Sequence, residues 1–469
     1  MRPPSRRARL FTGLVLAVAA QARADVFGTY GFGGRAVAMS GAQTAEADDF
    51  SGAFYNPAVL VNRKKPTFGF TFNYAFMSSE VTALESGREL DCKYCKSPDS
   101  AGFSVGALFP IGGKVNNRVA IGVGIYLPAQ HVVRVMAPDP NRPFWYRYQS
   151  SPDRLILDLG IGIRATDWLN LGLGLQILAD IDGMGADVKV DLFSKQVELR
   201  ELDAHLASRV GPVFGLQVKP HRRLRLGAAF RWEMLLLYNI PASLNLDGVG
   251  TLGFSLSGIT QYTPHTITFG AAFDVTEQCT VTLDGEYALW SRAPTPYLNL
   301  GVDLSGDVLK ALGLDEALDI ASPTQRTGFT DTFGGRLGLE FRINERFTAR
   351  GGAFYRPTPV PKQSAPGTNI LDASAVGGSL GVGFSFNDPL EIFAAPIHLD
   401  IAGMATFLLP REAKKESTDP VPSYRYNATL VGVAVGIRYE LGGDAKPAPP
   451  TGAPVPAMEQ VPSGATPRS

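Results

Sequence analysis

The chain has 469 residues, with Lys+Arg and Asp+Glu balanced at 44 each, 51 glycines and only three cysteines. Zero net charge removes any bulk electrostatic case for nucleic acid as a partner, and three cysteines cannot build a secreted disulfide scaffold. After residue 24 no run of about eighteen apolar residues occurs, so a spanning helix is excluded; an exported chain is then either soluble or a β-barrel.

The first segment reads as a secretory signal. Arg2, Arg6, Arg7 and Arg9 form a basic start, Leu10–Ala20 an apolar core too short to span, and Ala22-Arg23-Ala24 a small-x-small cleavage site. A mature chain is expected to begin at Asp25. Asp25–Pro66 follows, rich in glycine, serine and threonine and without a sustained helical or strand period. It reads as a compact, glycine-hinged plug.

From Thr67 onward the dominant signal is alternation with period two. Phe68, Phe70, Phe72, Tyr74 and Phe76 alternate with Thr67, Gly69, Thr71, Asn73 and Ala75; Leu169, Leu171, Leu173 and Leu175 alternate with Asn170, Gly172 and Gly174. One face is apolar and nearly free of charge, the other mixes glycine with charge, which suits a lipid-facing wall around a polar or tightly packed lumen. The same reading yields fourteen strands: 67–77, 100–110, 118–127, 153–164, 168–179, 209–219, 223–233, 264–275, 279–290, 331–343, 346–356, 375–386, 396–409 and 427–441. Short and long connections alternate between them, as periplasmic turns and extracellular loops do. The expected class is all-β: a 14-stranded antiparallel transmembrane barrel over 67–441 with the 25–66 segment as a hatch in its lumen.

Several long connections are unusually apolar. Leu235, Leu236, Leu237, Phe254 and Leu256 in 234–263 are expected to form a groove for a hydrophobic ligand, or to pack as a cap over the barrel. Val188, Val190, Leu192, Phe193, Val197 and Leu199 enrich 180–208, and Val308 to Ile320 carries apolar residues at roughly helical spacing. Cys92 and Cys95 suit a local loop staple or two idle thiols, since no second CxxC or histidine cluster completes a metal site. The Pro-, Gly- and Ala-rich 442–469 stretch reads as a disordered periplasmic tail.

Fixed charges fall on the inward faces: Arg223, Arg225, Arg231, Glu233, Asp284, Glu286, Arg336, Glu340, Arg342, Arg350 and Arg356. Most should pair internally; Arg225, Arg231, Arg336 and Arg350 are candidates to receive a ligand carboxylate through the planar guanidinium fork. His398 and Asp400 share an inward face, but no serine or cysteine is sequence-linked to them as a nucleophile. The residues call for no catalyst, cofactor or metal.

Taken together, Gly33-Gly34-Arg35-Ala36, Ser40-Gly41-Ala42, Ala47-Asp48-Asp49 and Asn56-Pro57-Ala58, with Gly124-Ile125-Tyr126-Leu127-Pro128 and Arg350 to Pro361 further on, resemble the FadL-type outer-membrane long-chain fatty acid transporters, a family that includes transporters of aromatic hydrocarbons. A lone NPA also occurs in aquaporins, but those need two copies within a helical bundle. The family resemblance covers nearly the whole chain to about Leu441; the CxxC loop and the tail depart from it. It implies a hatch-plugged fourteen-stranded barrel taking up a hydrophobic small molecule. The ligand would move from an extracellular groove to a lumenal pocket, then sideways into the membrane past an inward kink in the third strand. Asp48, Asp49, Asn56, Pro57 and Ala58 then form the hatch motif, and Gly122, Gly124, Tyr126 and Pro128 the lateral gate. The implied partners are that ligand, outer-membrane lipid and lipopolysaccharide, with the protein a monomer.

Overall fold

The computed structural model describes residues 29–441 except 91, 93, 116, 135–140, 149–152, 192–195, 247–249, 295–298, 306–309, 312–317, 322–327, 366, 390–394 and 418. The expected signal segment and tail therefore lie outside the described residues, as do Leu192 and Phe193.

Fourteen strands run in order: β1 (Thr67–Ala83), β2 (Ser100–Ile111), β3 (Val119–Pro128), β4 (Ile156–Arg164), β5 (Leu169–Asp191), β6 (Gln196–His221), β7 (Leu224–Arg231), β8 (Thr266–Asp274), β9 (Cys279–Ala288), β10 (Thr332–Arg342), β11 (Phe347–Arg356), β12 (Ala375–Phe386), β13 (Ile397–Ala413) and β14 (Tyr424–Glu440). Each pairs antiparallel with its sequence neighbours. Closure comes from β14 against β1, in register from Thr67–Glu440 to Ala83–Tyr424. Among the described residues no barrel edge is left unpaired, which is what a sheet in hydrocarbon requires.

The alternation read from the sequence sorts the two faces as expected. Phe68, Ile121, Leu173, Phe269, Leu339 and Val433 point outward and are 38–58 % exposed, whereas inward Thr67, Gln176 and Thr282 are buried. Large apolar side chains cover the outside of the cylinder, the inverse of a soluble protein.

Two expectations for the connections change. The expected loop 180–208 is an extension of β5 and β6, which stay paired out to Asp191 and Gln196. Residues 234–263 form a hairpin, Met234–Leu246 on Gly250–Thr263. Near 308–320, Lys310 and Ala311 are helical and Leu318–Ala321 is a strand paired with Asn299–Val302, while 306–309 and 312–317 lie outside the described residues. In the first two, alternating apolar residues find a neighbouring strand to pair with.

Candidate functional site

Residues 29–66 are almost entirely buried and touch strands around the cylinder. Their backbone is two short helical turns, α1 (Gly34–Ala38) and α2 (Gly52–Tyr55), followed by a 3-10 helix, Pro57–Asn62. Glycine makes the chain reversals possible: Gly33 before α1 has φ +88° and Gly41 after it +77°, where a β-carbon is strained.

Asn56-Pro57-Ala58 is the joint between segment and wall. Asn56 is fully buried and extended; its Oδ1 accepts from the Ala58 N–H at 3.0 Å, capping the 3-10 helix whose first position Pro57 fills. Its Nδ2 donates to the Thr44 carbonyl at 2.7 Å and to the Leu216 carbonyl on β6 at 3.0 Å.

The inward glycines make room for this segment. A β-carbon at Gly122 would come within 2.7 Å of Leu60, at Gly124 within 2.5 Å of Phe32, and at Gly162 within 2.7 Å of the Pro57 carbonyl. Gly122 and Gly124 were expected to open a lateral gate. In the structure β3 pairs with β2 from Val119 to Pro128 and with β4 from Val119 to Tyr126, with no register shift on either side. Hatch side chains fill the space above both glycines. Pro128 lies beyond the last β4 pair, so its missing N–H interrupts no ladder there. Tyr126 is buried and lines a small cleft with Tyr30, Val37, Ala75, Met404 and Gly432.

The segment has two unlike sides. Toward the long-loop end, Phe32, Phe50, Phe54 and Tyr55 pack with Tyr126, Ile156, Leu178, Met234 and Leu236 in one apolar cluster. Toward the short-turn end lies an ionic layer facing a polar chamber of about 640 Å³. Asp48 there meets Arg438 at 2.7 Å, Arg63 at 2.8 Å and Arg35 at 3.6 Å. Burial alone would raise the Asp48 carboxyl, but Arg438, Arg35 and Arg63 together hold it well below the ordinary range. Arg35 also binds Glu340 at 2.8 Å.

All four arginines expected to await a carboxylate are engaged within the protein. Arg225 grips Asp274 with two bonds of 2.6 and 2.7 Å and also pairs with Glu46. Arg231 lies 4.1 Å over the Phe54 ring and donates to its carbonyl. Arg336 donates to the Ser40 carbonyl at 3.0 Å, and Arg350 joins Glu340 at 2.7 Å to Asp400 at 2.5 Å. Asp49 caps the next turn, accepting from the Ser51 N–H at 2.9 Å. Sequence reasoning missed Arg35, although it stands in the quoted Gly-Gly-Arg-Ala motif, because its partner Glu340 is 305 residues away.

A profile of the family described as "Outer membrane protein transport protein (OMPP1/FadL/TodX)" matches residues 13–439. The chain belongs to that family. Alkane uptake protein A of Marinobacter nauticus is 29% identical over 182 residues, a match spanning 36% of this chain and 37% of that relative. Among solved structures, a Pseudomonas aeruginosa FadL homologue superposes with a TM-score of 0.58 at 14% identity, covering 91% of this chain and all (100%) of that one. The Pseudomonas putida toluene transporter TodX superposes with a TM-score of 0.52 at 15% identity, covering 88% and 99%. These two likenesses establish the fold.

As a family member in the outer membrane, the barrel has its short turns on the periplasmic side and its long loops outside. The outer mouth is capped: Phe144–Trp145 pairs with Ile370–Leu371, and Trp145 and Leu371 pack with Tyr148, Tyr424 and Tyr426. Cys92 and Cys95 are bridged, and the Cys95 carbonyl accepts from Trp145 Nε1 at 2.8 Å, so the staple helps hold the cap.

The expected groove is divided between two faces. Leu236 is buried toward the hatch cluster, while Leu235 and Leu237 are exposed on the opposite side. Phe254 belongs to the Leu236 side of the hairpin, opposite Ala242, and Leu256 is paired in register with Ile240. Period-two alternation makes a consecutive Leu-Leu-Leu run unable to line one surface.

Near the periplasmic end, Ser385 Oγ lies 2.7 Å from His398 Nδ1, a neighbour on β12 that the sequence does not link to it. Asp400 is committed to Arg350 rather than to His398.

Proposed function

We propose that the protein passively takes up hydrophobic small molecules across the outer membrane, without catalysis. The observation that carries this is the two-sided hatch: an apolar cluster above, an ionic layer below. An apolar molecule admitted through the loops can exchange water for Phe32, Phe54, Tyr126 and Leu236, gaining roughly 25 cal/mol per Å² of apolar area buried. It cannot continue downward without parting Asp48, Arg35, Glu340 and Arg350, which would leave buried charges unpaired. Sideways release into the membrane, after displacement of the hatch and local parting of β3 from β4, keeps the molecule out of water.

The alkane and toluene transported by relatives both fit this reading, as does a fatty acid. The test is uptake of a hydrophobic dye or labelled fatty acid by cells with and without the protein. Uptake that depends on the protein and saturates supports the proposal; equal uptake in both contradicts it. A plugged barrel serving adhesion alone would give equal uptake, and a lipid hydrolase would release fatty acid from phospholipid in a manner lost on His398→Ala.

A further inference from the structure

Where the chain leaves the lumen to start the barrel, the outer wall carries a notch. β1 begins only at Thr67, because the residues before it come out of the hatch. Its neighbours run further: β2 continues to Ile111, and Leu441 beyond β14 still donates its N–H to the Pro66 carbonyl at 2.8 Å. Phe68 is level with Tyr439 on one side and Ala107 on the other, so a single methyl stands at the end of an otherwise aromatic row. Phe68, Phe109, Tyr439 and Leu441 rim the resulting hollow of about 300 Å³, with Ala107 and Thr67 completing its lining. Phe68, Phe109 and Leu441 are 43, 45 and 36% exposed, on the membrane side of the wall. An apolar hollow in that position forfeits dispersion contact unless hydrocarbon fills it.

The stretch entering this corner is Arg63-Lys64-Lys65-Pro66. Its first cation is spent inside the protein: Arg63 meets Asp48 at 2.8 Å and Glu440 at 3.1 Å. The next two are not. Lys64 is exposed, Lys65 is half-buried, and among the described residues neither forms an ion pair. With successive Cα atoms about 3.8 Å apart, Lys65 starts within roughly 8 Å of Thr67 in the lining of the hollow, close enough for a snorkelling stem to hold its ammonium beside it. We infer that this corner binds one anionic phospholipid of the periplasmic leaflet, with an acyl chain in the hollow and the phosphate on Lys64 and Lys65. Depth and charge together select that occupant. The short-turn end faces the periplasm, so the hollow opens onto the leaflet built of phospholipid, and a basic stretch at a membrane surface attracts the anionic members of it. Charge alone is not distinctive on this rim, since Arg222 and Arg223 on the turn between β6 and β7 are also exposed. Here it adjoins an apolar hollow. The site lies on the seam that closes the barrel, so a lipid held there spans β14, β1 and β2 from outside.

The test is native mass spectrometry of the full-length protein released from nanodiscs that hold equal amounts of phosphatidylglycerol and phosphatidylethanolamine. The wild type should retain phosphatidylglycerol in preference by about tenfold or more. Lys64→Gln/Lys65→Gln should bring the two lipids to near-equal retention. Ala107→Phe fills the hollow from the membrane side and leaves both lysines in place; it should lose the retained lipid, and the smaller Ala107→Leu should lose less of it. Arg222→Gln/Arg223→Gln should change nothing. An undiminished preference in the lysine variant, with the barrel still folded by heat-modifiable gel migration, overturns the inference. So does full retention in both Ala107 variants. An equal loss of preference in the Arg222/Arg223 variant would make it a property of the whole rim and overturn a site at this corner. Displacement of phosphatidylglycerol by added lipid A at equal amounts would assign the corner to lipid A phosphate and overturn phospholipid as its occupant.

Discussion

The Asn56 side-chain amide donates to the Leu216 carbonyl at 3.0 Å, tying the hatch to the wall of the barrel at the motif that first marked the family. The same amide holds Thr44, and Asn56 Oδ1 caps the following 3-10 helix, so one buried side chain satisfies three backbone groups. Asn56→Ala should cost about 1–3 kcal/mol through the unsatisfied groups left behind. The loss should fall on the hatch: limited proteolysis within 29–66 should accelerate, while heat-modifiable migration of the barrel persists.

A β-carbon on the wall should act in the same direction where the hatch presses closest. Gly162→Ala meets the Pro57 carbonyl and the Val61 backbone nitrogen, which have little room to give, and should destabilise hatch seating by about 1–3 kcal/mol. Gly403→Ala, whose β-carbon would lie 4.0 Å from its nearest neighbour, should be silent by the same proteolysis measurement.

The ionic latch sets a pH dependence of known sign. Because Asp48 is held well below its ordinary value, its contribution is complete above the unfolded carboxylate value of about 3.9 and is lost only as pH falls through the lower folded value. Hatch-dependent uptake should therefore be flat with respect to this latch from about pH 8 to about pH 5. Asp48→Asn removes the shared acceptor of Arg35, Arg63 and Arg438 and should destabilise the hatch by about 3 kcal/mol at all these pH values. Proteolysis of the hatch as a function of pH checks both statements.

Much of the architecture was legible because it is local. The alternation in 67–77 is visible without knowing what the strand pairs with, and the alternating loop lengths supply the closure argument. What the glycines do was not legible. Gly122 and Gly124 look like weak points in a strand, and only the seating of Leu60 and Phe32 shows them to be sockets. The division of the groove residues was hidden for a related reason: Leu235, Leu236 and Leu237 are adjacent in sequence and therefore on alternating faces once 234–246 is a strand. The charged networks were visible in composition but not in partnership, since Arg35 and Glu340 share no local pattern. Ser385 and His398 meet only through the register of β12 on β13.

Closed pairing of β3 makes lateral release a matter of parting strands. Ile125 and Leu157 are directly paired across β3 and β4. In a Cys279→Ser background, Ile125→Cys/Leu157→Cys should form a cross-link on oxidation and slow uptake, with recovery on reduction. Undiminished uptake in the fully cross-linked protein would place the exit elsewhere in the wall.

Displacement of the hatch is the central claim, and Ser40 and Ser379 offer its most direct test, since their Oγ atoms lie 2.8 Å apart across the hatch–wall boundary. In the Cys279→Ser background, Ser40→Cys/Ser379→Cys should tether α1's following turn to β12. The measurement is dye uptake before oxidation, after oxidation and after reduction, with cross-linking quantified on the same cells. The account predicts uptake in the reduced protein, its loss in the tethered one and its return on reduction; full uptake through a quantitatively tethered hatch would contradict it.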